Sequence, residues 1–206
     1  NNIWDLNKLE ANKVEIEKAP FNLKKRIDGV LIALKKSAEA KNNNVHYEYD
    51  PTLPNEVMGD SLKISQILIN LISNSIKFTE NGDIWVRVKN AEKTAKKVVI
   101  HFEVEDTGDG ISKKKQNTIF ESFSQGSLQI NRKYGGTGLG LSIVKNLLEL
   151  MGSKIFLESK LGEGSKFWFN ISYDIAESET NIVDPKNMEV VLDNDIFENK
   201  SVMIVE

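Results

Sequence analysis

Counting 100° per residue from Ile64, the side chains of Ile67, Leu68, Leu71, Ile72 and Ile76 fall within a half-circle, the strongest helical periodicity in the chain. Asp60 is placed to cap that helix, which should run to about Lys77. A second helix is predicted from a cap at Asn22 to about Ala40, with Ile27, Val30, Leu31 and Leu34 on one face; another spans about Gly138 to Met151. Alternation predicts a short strand at Val14 and Ile16 that ends at Pro20, and another from Val45 to Tyr49. Gly82 opens a predicted hairpin, Ile84 to Val88 paired with Val98 to Glu105. Two closing strands, Lys154 to Ser159 and Ser165 to Tyr173, are joined by a turn at Gly162-Glu163-Gly164. Ser124 to Tyr134 is polar, with few residues fit for a core, and reads as a mobile loop. Ile3, Leu6 and Leu9 give the opening a helical spacing too short to be stable alone, so it reads as the tail of something longer.

Composition narrows the class. With 206 residues, 40% of them hydrophobic, the chain can bury one good core. No apolar run approaches the roughly 20 residues that cross a bilayer, so no direct membrane contact and a cytoplasmic location are expected. The absence of cysteine excludes disulfide staples and thiolate metal sites. The net charge of −3 conceals an asymmetry. Residues 1–173 hold 25 Lys and Arg against 21 Asp and Glu, whereas residues 174–199 hold eight acids against Lys186 alone. A modestly basic body suits a polyanionic ligand, and the acidic stretch reads as a solvated linker.

Three segments carry candidate chemistry. On the Ile64 helix, Asn70, Asn74 and Lys77 cluster within about 60° beside the apolar stripe, on the seam between core and solvent. Asn offers Mg²⁺ a neutral carbonyl oxygen and Lys offers phosphates a point charge, although a solvated helix flank has the same pattern. Asp106-Thr107-Gly108-Asp109-Gly110 breaks a strand sharply. Its carboxylate could accept from an exocyclic amine, or the segment could be an ordinary Asp- and Gly-rich loop. Gly135, Gly136, Gly138 and Gly140 lead into a helix, where backbone N–H groups and the helix dipole favour an anion. This is no P-loop, because Leu141 stands where the Lys is needed, and the Rossmann spacing is absent. Arg132 and Lys133 either fold over phosphates or are surface charges.

Order and spacing together resemble one family. NLISNSIKFT (70–79) resembles the N box, DTGDGI (106–111) the G1 box, IFESF (119–123) the F box and GGTGLGLSI (135–143) the G2 box of sensor histidine kinases. These boxes define their catalytic ATP-binding domain, a branch of the gyrase, Hsp90, histidine kinase and MutL superfamily. GEGSKFWF (162–169) looks like its closing strand motif. The resemblance implies an α+β fold, a two-layer α/β sandwich of Bergerat type with a mixed sheet packed against about three helices. It implies ATP and Mg²⁺ as cofactors, with Asn74 as metal ligand and Asn70 and Lys77 near the phosphates. Asp106 would bind the adenine amino group, with Gly108 and Gly110 shaping its pocket; Phe78, Ile111 and Ser165 are further expected cofactor contacts, Ser165 standing where the family usually has Thr. Ser124 to Tyr134 would be the ATP lid. Gly136, Gly138 and Gly140 would cradle the phosphates, with Leu141 packing nearby; Arg132, Lys133, Tyr134, Thr137 and Leu139 are further expected cofactor contacts. Gln125 replaces an Arg that many members carry, so that contact falls to Arg132.

The ends extend the resemblance. Residues 1–20 are similar to the exit of a dimerisation helix, 21–173 to the catalytic domain, and 200–206 to the first strand of a receiver domain after the linker 174–199. The implied protein is a hybrid histidine kinase, homodimeric when intact, of which this chain is a fragment. It would phosphorylate a histidine on the dimerisation domain, in cis or in trans, within a two-component phosphorelay. Hydrolysing relatives use a Glu in the N box; Asn70 cannot take a proton from water, which favours transfer with Asn70, Lys77 and Arg132 as the catalytic set. His46 and His101 both sit in strand patterns, so neither is the expected acceptor. A nucleotide-sensing regulatory module without kinase activity is the alternative. Nucleic-acid binding has only Lys113-Lys114-Lys115 behind it and is not expected.

Overall fold

The computed structural model describes residues 15–121 and 139–176, all within a unit that ends at Ala176. Its strands are β1 (Ala19–Asn22), β2 (Asn44–Tyr49), β3 (Glu56–Gly59), β4 (Asp83–Lys93), β5 (Lys97–Asp106), β6 (Phe156–Lys160) and β7 (Gly164–Ile175). The helices among these residues are α1 (Leu23–Glu39), α2 (Ser61–Phe78), the single turn α3 (Lys113–Gln116) and α4 (Gly140–Leu150). One sheet runs β1-β3-β7-β5-β4-β2, with β6 also on β7. β2 lies parallel to β4 and every other pair is antiparallel, so the sheet is mixed as expected.

Alternation decides which face is covered. Ile84, Val86 and Val88 of β4, Ile100, Phe102 and Val104 of β5, and Phe167, Phe169 and Ile171 of β7 are buried. They form one core with Ile27 and Val30 of α1, Ile67, Leu71 and Ile72 of α2, and Ile143, Val144 and Leu147 of α4. The intervening residues face away from the helices and carry charge. Arg87 Nη1 donates to Glu103 Oε1 and to Glu105 Oε2, each at 2.5 Å. Burial opposes the Arg87 charge, but these carboxylates more than offset it and hold the guanidinium above its usual value. Two stacked pairs, His46 with Trp85 and Phe156 with Trp168, share the same periodicity.

Two helices start where the sequence says. Asn22 Oδ1 accepts from the Lys25 N–H at 2.8 Å to begin α1. Asp60 Oδ1 accepts from the N–H groups of Leu62 and Lys63 at 3.0 and 2.9 Å to begin α2. The other Asp60 oxygen accepts from the Glu17 N–H at 3.1 Å. One buried carboxylate therefore both caps the helix and ties the incoming chain to it.

Other expectations need correction. Val14 lies outside the described residues and Ile16 is not in a strand: Glu15 to Lys18 is irregular, and β1 instead contains Pro20, opposite Met58. β1 is the edge of the sheet, where a missing N–H costs no ladder bond. β1 spans Ala19–Asn22, and β7 runs two residues past the strand end expected at Tyr173. Asp174, expected in the linker, is in β7, paired with Lys18 at 2.5 Å. The hairpin strands extend to Lys93 and from Lys97, with a register shift between Asn90 and Glu92 that accommodates the polar residues there. Helix α4 begins at Gly140, two residues late. His46 and His101 lie on strands, as expected, bonded at 2.8 Å to Asp83 and Asn170.

Replacing Asp60 by Ala removes the cap and the Glu17 tie. The expected loss is about 1–2 kcal/mol, read as a lower midpoint in urea unfolding with an unchanged slope.

Candidate functional site

Helix α2 presents its polar seam at the rim of the core. Asn70, Asn74, Lys77 and Phe78 are all half-buried there, next to the fully buried Leu71 and Ile72. At its C-terminal end, α2 meets the turn that follows β5. The Asp109 N–H donates to the Phe78 carbonyl at 3.0 Å. A Cβ on Gly108 would lie 2.3 Å from that same oxygen, so only glycine lets the turn approach the helix this closely. Gly110 has φ +65, and its Cβ would lie 2.0 Å from the Lys160 carbonyl oxygen, which excludes any side chain for both reasons.

Asp106, the last residue of β5, is 6% exposed. Its Oδ1 accepts from the Gly108 N–H at 3.0 Å and its Oδ2 from the Ser75 hydroxyl of α2 at 2.9 Å. Burial pushes its carboxyl above the usual carboxylate range, partly countered by the donors Gly108, Ser75 and the Ser165 backbone. Ser165, second residue of β7, lies opposite Asp106 in the ladder. Ile111 is pinned nearby: its N–H donates to Ser159 Oγ at 2.8 Å, and its carbonyl accepts from Gln116 Nε2 at 2.6 Å. Gln116 Nε2 also donates to the Ser159 carbonyl at 2.9 Å, joining α3 to the β6–β7 hairpin.

One turn and more toward the start of α2, the helix meets α4. A Cβ on Gly140 would lie 3.3 Å from Asn70 Oδ1 and 3.8 Å from Asn74 Nδ2. No side chain among the described residues caps α4, so its first N–H groups and the positive end of its dipole adjoin the two asparagines. Leu139 is fully buried before it, and Leu141 packs half-buried on the core. Lys77 reaches instead over the Phe78 ring, 5.0 Å from its centroid. Burial, then the neighbouring Lys41, holds its ammonium below the usual lysine value.

Arg132, Lys133, Tyr134, Gly136, Thr137 and Gly138 lie outside the described residues, as do the whole stretch expected to form the lid and the end of the F box. The sequence reading missed four polar groups. Ser75 announced itself as a serine inside an apolar helical stripe, while Ser159 and Gln116 had no such signal. Thr79, at the end of α2, buries a hydroxyl with no hydrogen-bond partner among the described residues, 2.7 Å from where a Gly108 Cβ would stand. An orphan hydroxyl, a buried acceptor and an uncapped helix start fit a polar, anionic ligand.

Comparison with known proteins agrees with that chemistry. Residues 59–175 match the family of histidine kinase-, DNA gyrase B- and HSP90-like ATPases, and the chain belongs to it. The signal transduction histidine-protein kinase BarA of Escherichia coli K12 is 39% identical over 175 residues, 85% of this chain and 19% of BarA. The chain thus spans about a fifth of the length of that relative. Among solved structures, full-length ShkA in complex with AMPPNP superposes with a TM-score of 0.74 at 28% identity, covering 85% of this chain and 35% of ShkA. The nucleotide-free catalytic domain of the histidine kinase ThkA gives 0.60 at 31% identity, over 75% of this chain and 95% of that domain. The fold class expected from the motifs is therefore the observed one.

Adding a methyl at Gly108 forces α2 and the β5 turn apart. Gly108→Ala is expected to cost about 1–3 kcal/mol of stability, measured by thermal unfolding, and to abolish the Asp109–Phe78 amide protection in hydrogen exchange.

Proposed function

We propose that this chain is the ATP-binding catalytic domain of a hybrid sensor histidine kinase, which passes a phosphoryl group to a histidine on a dimerisation domain. The observation that carries this reading is that one helix, α2, touches both glycine segments. Ser75 and Phe78 meet the G1 turn, and Asn70 and Asn74 face Gly140. From Asn70 to Ser75 the helix rises about 7.5 Å, the scale on which a nucleobase is separated from its phosphates.

In this reading ATP supplies the γ-phosphoryl group, and the chain's own residues bind and orient it. Asp106 accepts from the adenine amino group, with Phe78, Gly108, Gly110, Ile111 and Ser165 around it. The α4 start and Asn70 face the phosphates, Lys77 adds a point charge, and Asn74 holds Mg²⁺ through a neutral oxygen. Neutral amides suit this seam, since carboxylates there would repel the phosphates that Mg²⁺ must share. The roles of Arg132, Lys133, Tyr134, Gly136, Thr137 and Gly138 rest on their motif alone. Asn70 orients without abstracting a proton, which favours transfer over hydrolysis. A homodimer, a receiver domain as partner and a cytoplasmic location belong to the same reading of the intact protein. Among the described residues no helix is long and apolar enough to cross a membrane.

The test mixes this chain with a histidine-bearing dimerisation domain, ATP and Mg²⁺, and follows acid-labile phosphate on that domain. Labelling is expected, sharply weakened by Asn74→Asp and abolished by Asp106→Asn. Undiminished labelling by both variants would refute the assigned site. Magnesium-dependent ATP binding without any labelling would favour a regulatory module instead.

A further inference from the structure

Helix α2 spends a buried serine on Asp106, and that serine has no other use. Hydroxyls inside helices ordinarily return to the carbonyl three or four residues back, and three others among the described residues do so. Ser65 donates to Ser61 O at 2.7 Å, Ser73 to Asn70 O at 3.2 Å and Ser142 to Leu139 O at 2.9 Å. Ser75, 2% exposed among Leu71, Ile72 and Ile76, reaches a residue 31 positions away instead. A hydroxyl at such a position is costly to bury unless it is bonded.

We infer that Ser75 is a specificity-determining positioning residue: its hydroxyl holds Asp106 as an acceptor aimed at the purine edge, so the site selects 6-amino over 6-oxo purine nucleotides. This rests on the reading that Asp106 faces the nucleobase. An ionised carboxylate offers about four lone-pair sites and no donor. Ser75 occupies one on Oδ2 and the Gly108 N–H one on Oδ1, so neither oxygen can turn away from its partner. The sites left over still only accept. An exocyclic amine matches them with an N–H, whereas a 6-oxo group sets acceptor against acceptor at that position and leaves the remaining Asp106 lone pair there unmet. Without Ser75 the carboxylate keeps only backbone donors, from Gly108 and Ser165, loses its one tie to α2, and loses discrimination along with affinity.

The experiment is calorimetric titration of this chain with Mg-ATP and Mg-ITP, which differ at the 6 position. The unmodified chain should prefer ATP. Ser75→Ala should weaken ATP about 5- to 10-fold, the size of one net hydrogen bond, leave ITP within about 2-fold, and so collapse the ratio. Ser75→Cys, nearly the same size but a weak donor, should lie between, and it serves if the alanine variant fails to fold. A ratio unchanged in a folded Ser75 variant overturns the inference, because a merely structural serine would weaken both nucleotides alike. Asp106→Asn separates the two levels: undiminished ATP affinity in that variant overturns the adenine reading itself.

Discussion

A buried carboxylate shared between a helix and a strand end organises this molecule. Asp106 closes β5, faces Ser165 in the ladder, turns the chain through Gly108 and accepts from Ser75 of α2. Leaving any of these partners unmade would strand a charge in the core, at a cost larger than the net gain of an ordinary hydrogen bond. The end of the sheet and the end of α2 are therefore locked at one distance, and the G1 turn has no freedom to drift from the helix it serves.

From that lock, α2 acts as a rigid ruler. Its apolar stripe is fixed by the sheet, so its polar seam has to emerge at one place on the surface. Asn70 and Asn74 follow at helical intervals from Ser75, and α4 packs so that its start meets them. In the proposed function, the base and phosphate subsites are thereby spaced by backbone geometry rather than by loops.

The long strand β7 supports the arrangement from below. One edge takes β5 along nearly its whole length, while the other is divided between β6 near Ser165 and β3 near Ile175. Ser159 and Gln116 then tie the β6–β7 hairpin to Ile111. On the opposite face of the sheet, the Arg87 cluster pairs its charges locally without reaching the core.

Much of this was legible before any coordinates. The caps at Asn22 and Asp60, the stripe of α2 and the β4–β5 hairpin arise from contacts between neighbours in sequence, which a linear pattern records directly. The family resemblance added the order in which distant motifs should meet. The four-residue β3, with only Val57 buried, is too short to alternate visibly. Pro20 argued against a strand until the sheet placed β1 at its edge. Ser75 was visible as an anomaly, but its partner was not, since a hydroxyl's choice between a carbonyl on its own helix and a carboxylate 31 residues away depends on sheet register. Local periodicity is written residue by residue; pairing across the sheet exists only once every strand has found its neighbour.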